Sequence, residues 1–267
     1  MAVTFLVVPQ WQGSGSARAL QVVDGARAIA GDLPAASTIE VEVPLEAGDD
    51  EGTGIHRFSS LRIVRQRIAQ ALEHVDGPVV AIGGDCAAEY AAIAHAAARH
   101  RLAVLWLDAH PDANTPSTSP SGAFNGMVLR ALVDDRVVDA SSVVIAGARA
   151  WDPEEERWVA AEGVASLDVD ALREPATLAD AVAATGADAV YLHVDLDVLD
   201  PAEIRGLGYP EPFGVTVAEL LAAIRAVRER LPLAGAGVME YAPGDAEAVT
   251  DDMPTILRVV GALTSGI

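Results

Sequence analysis

The chain has 267 residues, 51 % of them hydrophobic, and carries 39 acidic against 18 basic side chains for a formal net charge of −21. That balance argues against nucleic acid or an anionic membrane as partner, and it is compatible with a cationic small molecule or with a solvated acidic surface alone. A single cysteine excludes an internal disulfide, the apolar runs fall short of the ~20 residues of a membrane span, and Met1–Val8 lacks a basic segment and reads as a first strand, so a cytoplasmic protein is expected.

In chain order the pattern predicts a strand at Thr4–Val8, a helix around Ser16–Ile29, a loop at Leu45–Phe58 and a helix around Leu61–Glu73. A strand at Val79–Ile82 and a helix around Ala87–His100 follow, then a strand at Leu102–Leu107, a loop at Pro111–Ala123 and a helix around Phe124–Val133. The second half continues with a strand at Val143–Ala146, a helix around Glu154–Ala161, a strand at Ala189–Val194 and a loop at Pro201–Gly214. It closes with a helix at Val217–Arg230, a strand at Gly237–Met239 and a helix around Asp252–Leu263. The strands are almost continuously apolar, as expected where both faces of a parallel sheet are covered. The fold class is therefore α/β, a single domain over 1–267 with right-handed crossovers. Ligands of such sheets bind at the carboxyl ends of the strands.

Two acidic clusters fall at such ends: Asp108-Ala109-His110-Pro111-Asp112 and Asp195-Leu196-Asp197-Val198-Leu199-Asp200. Alternate residues of an extended chain project to one side, which aims Asp108, His110 and Asp112 at one point and puts His193, Asp195 and Asp197 on one face. Carboxylates so crowded beside buried strands repel one another and resist desolvation, a conflict that cations resolve. One imidazole among several oxygen donors suits a hard divalent ion such as Mn²⁺. The pair of clusters thus reads as a two-metal hydrolase site; caps of helices and loops are the plainer reading of each Asp taken alone. Two further pieces are the turn Gly83-Gly84-Asp85-Cys86 and the strand end Met239-Glu240-Tyr241. A lone buried Cys86 commonly packs as a small hydrophobe.

Taken together, Gly-Gly-Asp-Cys, Asp-Ala-His-Pro-Asp-Ala-Asn-Thr-Pro, Ser-Gly-Ala-Phe-Asn-Gly, Asp-Leu-Asp-Val-Leu-Asp-Pro and Met-Glu-Tyr resemble the arginase/agmatinase (ureohydrolase) family in order and approximate spacing. The resemblance implies a three-layer α/β/α sandwich around a mostly parallel sheet, and two Mn²⁺ ions whose bridging hydroxide attacks a guanidinium carbon. It implies metal ligation by Cys86, Asp108, His110, Asp112, Asp195 and Asp197, with Asp108 and Asp195 bridging, and a catalytic role for Asp112 beside the hydroxide. Glu240 matches the position that faces the guanidinium, which a carboxylate can pair with in bidentate fashion. Asn114, Ser119 and Ser121 match the loop that reads an α-carboxylate, and Asp152 and Glu155 the segment that holds an α-amino group. The partner implied is a small guanidino amino acid. Asp200, before Pro201, reads as structural. The short segment Asp251–Ile267 after the Glu240 motif points to a monomer.

Two positions depart from the family pattern. Cys86 stands where a histidine ligand is usual, placing a soft donor beside hard ones. Asn125 stands where a histidine serves as general acid/base, and an amide does not exchange protons near neutral pH; losing such a group typically lowers rates ~10²–10⁴-fold. A substrate that needs less acid catalysis accommodates both changes. The pattern resembles the branch of the family that hydrolyses Nω-hydroxy-L-arginine to hydroxyurea and L-ornithine in D-cycloserine biosynthesis. Hydrolysis of arginine, agmatine or another guanidine, and a metal-binding but inactive relative, are the alternatives. Tyr209, where a small hydroxyl residue is usual, indicates a reshaped pocket. His193 reads as a hydrogen-bonded core histidine, with support of the metal ligands or proton transfer as the other roles. His56 is a weaker proton-transfer candidate because its loop can fold over the site. His74, His95 and His100 read as surface or helix-end residues.

Overall fold

Among the described residues eight parallel strands assemble one sheet in the order β2-β1-β3-β8-β7-β4-β5-β6. They are β1 (Thr4–Val8), β2 (Thr38–Glu40), β3 (Val79–Gly83), β4 (Leu102–Leu107), β5 (Val143–Ala146), β6 (Ala165–Leu167), β7 (Ala189–Asp195) and β8 (Leu233–Met239). The computed structural model describes residues 3–119 and 121–266; Met1, Ala2, Ile267 and Pro120, which falls inside the expected Pro111–Ala123 loop, lie outside the described residues.

Helices cover both faces, which is why the central strands carry apolar side chains on both sides. One layer packs Ile29 of α1 (Gln21–Ala30) with α6 (Val169–Leu172), α7 (Pro175–Ala184), α8 (Val217–Arg230) and α9 (Ala246–Thr264). The opposite layer is α2 (Phe58–Leu72), α3 (Tyr90–Ala97), α4 (Val128–Asp134) and α5 (Pro153–Glu162). This is the expected α/β/α sandwich, with an entirely parallel sheet. No helix among the described residues is long and apolar enough to cross a membrane.

Differences from the expected elements have local causes. The edge strands β2 and β6 are short and partly exposed, so neither carries an apolar run. The expected Ser16 helix starts only at Gln21. The expected Ala87–His100 helix splits into a 3-10 turn at Cys86–Glu89 and then α3. Helix α9 begins at Ala246 because the Asp245 side chain caps it, accepting Ala248 N–H at 2.9 Å. Strand β8 reaches back to Leu233, hidden by its glycines. At Gly237 a Cβ would lie 1.4 Å from Glu89 Oε1, so β8 is thinned where a buried acid crosses it.

The order of the sheet decides where the site falls. Strands β3, β8, β7 and β4 are consecutive neighbours, and each ends in one of the chemical motifs. Segments remote in sequence thus converge above the middle of the sheet, at its carboxyl edge.

Candidate metal centre

The Gly83-Gly84 turn brings the first piece close. A Cβ at Gly84 would lie 1.7 Å from Gln10 O, so only glycine lets the end of β3 pass this tightly. Gly84 N–H donates to Val8 O at 2.9 Å, and Gly84 O accepts Glu240 N–H at 2.8 Å, joining three strand ends. Asp85 caps the following turn through Ala87 N–H and also accepts from Gly13 N–H and Gln10 Nε2, so it is a structural acid. Its carboxyl is pushed up to about 6 by burial. Cys86 then donates its thiol toward Asp195 Oδ2 at 3.3 Å and lies 3.9 Å from Glu240 Oε1.

Asp108 is the centre of the cluster. Its Oδ1 accepts His110 N–H at 2.7 Å and its Oδ2 accepts Trp106 Nε1–H at 3.0 Å. His110 Nδ1 lies 3.0 Å from Asp197 Oδ2 and 3.5 Å from Asp108 Oδ1. Asp197 Oδ1 accepts Ala109 N–H at 3.0 Å, and Asp195 Oδ1 accepts Asp197 N–H at 2.8 Å. Two groups of donor atoms result, each drawn within 4.8 Å: Cys86, Asp108, His193 and Asp195, and Asp108, His110 and Asp197. Asp108 belongs to both groups, whereas Asp195, for which the resemblance implies the same bridging role, belongs to the first alone. Asp112 stands outside both groups, turned by a left-handed backbone (φ 50°), and its Oδ2 is buried without a hydrogen-bond partner.

Five buried carboxyls, Asp108, Asp112, Asp195, Asp197 and Glu240, share this space. Burial and mutual repulsion push Asp112 and Asp195 well above the ordinary carboxylate range and raise Asp197. Glu240 is pushed up to about 8, chiefly by burial, with Asp85 adding repulsion. The Cys86 thiol is driven up by burial and by the surrounding carboxylates. Asp108 alone goes down, because hydrogen bonds from His110 and His193 outweigh its burial. Burial opposes charge on His110, yet its bonds to Asp108 and Asp197 hold it above the usual histidine range. So many acids around so few cationic groups, with Asp112 Oδ2 left without a partner, is a donor set that two divalent cations fit. The oxygen and imidazole donors suit a hard ion; the Cys86 sulfur is the exception.

A cleft of about 440 Å³ is lined by Cys86, His110, Asp112, Asp195 and Asp197 of this cluster together with Asn114, Ser119, Ser121, Asp152 and Glu155. In that lining Asn114 Nδ2 donates to Asp152 Oδ2 at 2.9 Å, and the Ser119 and Ser121 hydroxyls are 3.1 Å apart. Glu155 spends both oxygens on the backbone, accepting Ala113 N–H at 2.9 Å and Asp152 N–H at 3.0 Å. It therefore ties the Asp112 loop to the start of α5, and Asp152 is left with the more adaptable carboxylate. Glu240 lies beneath the cleft, with Oε1 accepting Asn125 Nδ2–H at 3.1 Å and Oε2 buried and unpaired. Tyr209 lines the wall, its hydroxyl 3.4 Å from Ser14 Oγ.

The histidines other than His110 separate clearly. His56 is exposed and lies across Gly122, its backbone N–H on Gly122 O at 2.8 Å. His74 and His100 are exposed and His95 is half-buried. His193 is fully buried and reaches Asp108. Glu89, Trp106 and Arg149, which contact the cluster or its loops, have no signal in sequence beyond being polar or large residues inside apolar runs.

A model of the arginase family matches residues 15–255. The chain is 28 % identical over 235 residues to the arginase of Bacillus caldovelox, covering 80 % of this chain and 76 % of that one. It is 34 % identical over 205 residues to the proclavaminate amidinohydrolase of Streptomyces clavuligerus, covering 74 % of this chain and 64 % of the relative. Its fold is similar to the crystal structure of Entamoeba histolytica arginase in complex with L-ornithine, with a TM-score of 0.85 at 22 % identity and 99 % and 98 % of the two chains covered.

Proposed function

The chain belongs to the arginase family of hydrolases acting on amidino and guanidino groups, and from that premise we propose that it cleaves Nω-hydroxy-L-arginine to hydroxyurea and L-ornithine, supplying D-cycloserine biosynthesis. The observation that carries this reading is Asn125: an amide, hydrogen-bonded to Glu240, stands where the resemblance expects the proton-transferring histidine. The named substrate of the Streptomyces relative, proclavaminate, supports a branch of the family turned to substrates other than arginine.

In this proposal Cys86, Asp108, Asp112 and Asp195 would hold one Mn²⁺, and Asp108, His110, Asp195 and Asp197 the other. When bound, such a pair lowers the pKa of a water and polarises the carbon under attack. The reaction adds water oxygen to the guanidine carbon, breaks the bond from that carbon to Nδ, and leaves a carbonyl on hydroxyurea and an amine on ornithine. Asp112, which lines the cleft and whose Oδ2 is unpaired, would accept a proton from the water and return it to the departing amine nitrogen. Glu240 Oε2, also unpaired, orients the planar N–H groups of the guanidine. Elsewhere in the cleft Asn114, Ser119 and Ser121 receive the α-carboxylate, and Asp152, seated by Glu155, the α-amino group. Binding at both ends fixes the carbon over the cluster.

Asn125 cannot deliver the proton that an amine leaving group requires. Hydroxylation lowers the basicity of the guanidine below arginine's ~12.5–13.8, so more substrate is neutral and its carbon is easier to attack. The retained carboxyl cluster and amino-acid end favour a working enzyme over an inactive relative. The chain acts as a monomer in this proposal. Replacing Asn125→His tests the reading: arginine turnover should rise by at least about tenfold relative to hydroxyarginine, recovering part of the ~10²–10⁴ that a general acid contributes. An unchanged ratio in a folded, metal-loaded variant would count against it.

A further inference from the structure

Beside the cluster, and outside the cleft lining, lies a buried polar assembly with no part in the steps above. His193 on β7 and Glu89 in the turn after β3 are both 0 % exposed. His193 Nδ1 is hydrogen-bonded to Glu89 Oε2, and the other oxygen of that carboxylate accepts the Tyr191 hydroxyl at 3.0 Å. On the other side of the ring, Nε2 faces Asp108 Oδ2 at 3.4 Å. That oxygen is the one already held by Trp106 Nε1–H. The Trp106 ring stacks on the imidazole, with centroids 3.5 Å apart and planes 12° from parallel.

The fold builds this arrangement deliberately. Register between β4 and β7 pairs Trp106 with His193, and Gly237 on β8 vacates the volume that Glu89 fills. A buried acid–base pair is poor evidence of stability, because well-packed apolar side chains commonly do as well. Its retention under a metal cluster calls for another role. Each ring nitrogen faces a carboxylate oxygen and one ring face is covered, so the imidazole has a single orientation. Its one hydrogen bond to the other donors is to Asp108, the residue common to both groups.

We infer that Glu89 and His193 are positioning residues for the metal centre: Glu89 orients His193, and His193 together with Trp106 fixes the carboxylate plane of Asp108 for both ions. The inference rests on the two-ion reading of the cluster. Partners of this kind typically set metal affinity by 10–100-fold. The rival role is direct ligation, since a ring nitrogen of His193 lies within 4.8 Å of donor atoms of Cys86 and Asp195.

The test measures Mn²⁺ stoichiometry and affinity by chelator competition for the wild-type chain, Glu89→Gln, His193→Gln and the double variant, with circular dichroism reporting folding. The wild type should bind two ions. Each single change should weaken binding about 10–100-fold, and the double variant should be no weaker than His193→Gln, because Glu89 acts through His193. Unchanged affinity in folded variants, or losses that add, would overturn the inference while leaving two-ion binding intact. A wild type that binds no metal would overturn both. Should the variants fail to fold, the wild type decides: with ¹⁵N-labelled histidine and diamagnetic Cd²⁺, His193 Nε2 should keep its proton on loading. Loss of that proton with coupling to cadmium would make His193 a ligand and end the positioning role.

Discussion

Asp112 and Glu240 hold left-handed backbone conformations, with φ of 50° and 62°, and each leaves one carboxylate oxygen buried and unpaired. A non-glycine residue held so costs about 1–3 kcal/mol, and such strain gathers at functional sites. An unpaired buried carboxylate adds to it. In the proposed function Glu240 is therefore a place where stability is sacrificed to substrate binding. The change Glu240→Gly should leave the metal-free protein at least as stable as the parent, with a gain of about 1 kcal/mol after the entropy that glycine adds to the unfolded chain. Chemical denaturation in chelator reads this, and turnover of every guanidine should be lost. A loss of stability would mean that the hydrogen bond from Asn125 outweighs the strain.

The loops around the cleft are held by particular side chains, and Arg149 is the clearest. Its guanidinium donates to Asp197 O at 2.7 Å, Glu211 O at 2.8 Å, Pro212 O at 2.9 Å and Gly147 O at 3.1 Å. It thereby clamps the loop that carries Tyr209 to the segment that carries Asp197. A lysine cannot reproduce this planar fork. Arg149→Lys should speed amide hydrogen exchange across residues 206–214, and it should lower stability by roughly 2 kcal/mol, about one charged hydrogen bond. Exchange unchanged there would show that the loop is held by other contacts. The central elements were legible because strands buried on both faces write almost continuous apolar runs, as in Leu102–Leu107 and Ala189–Val194. The edge strand at Ala165–Leu167 was not, since an exposed edge needs no such run. Alternation at a strand end does draw Asp108 with His110 and His193 with Asp195, but the left-handed backbone at Asp112 and the 3-10 turn at Leu196–Val198 take Asp112 and Asp197 off the faces that alternation assigns them. Glu89 was silent, because its neighbours Ala87, Ala88 and Tyr90 read as an ordinary helix and its partner lies on another strand. Arg149 was silent because its partners are backbone carbonyls.

At the scale of the whole molecule, acids concentrated at the carboxyl edge of the sheet couple stability to protons and metal. In the metal-free protein Glu240 is pushed up to about 8 and Asp85 to about 6, mainly by burial, against about 4 in an unfolded chain. The folded state holds more protons than the unfolded one across that window, so its stability falls as pH rises from about 4 to 8. His110, raised by Asp108 and Asp197, acts in the same direction above about 6.5. Asp108, held low, acts oppositely only below about pH 4. Metal binding competes with these protons and strengthens as pH rises. The melting temperature in chelator should be higher at pH 6 than at pH 8, and the gain on adding Mn²⁺ should widen over the same interval. Scanning fluorimetry at both values checks this, and a gain that shrinks would contradict it. The central claim, that Asn125 marks a site tuned to a hydroxylated guanidine, is tested most directly by comparing kcat/KM of the Mn²⁺-loaded protein for Nω-hydroxy-L-arginine and L-arginine side by side. A ratio of about 10² or more in favour of the hydroxylated substrate, the lower range of what a missing general acid costs, is the predicted result. Equal or greater activity on arginine would contradict it.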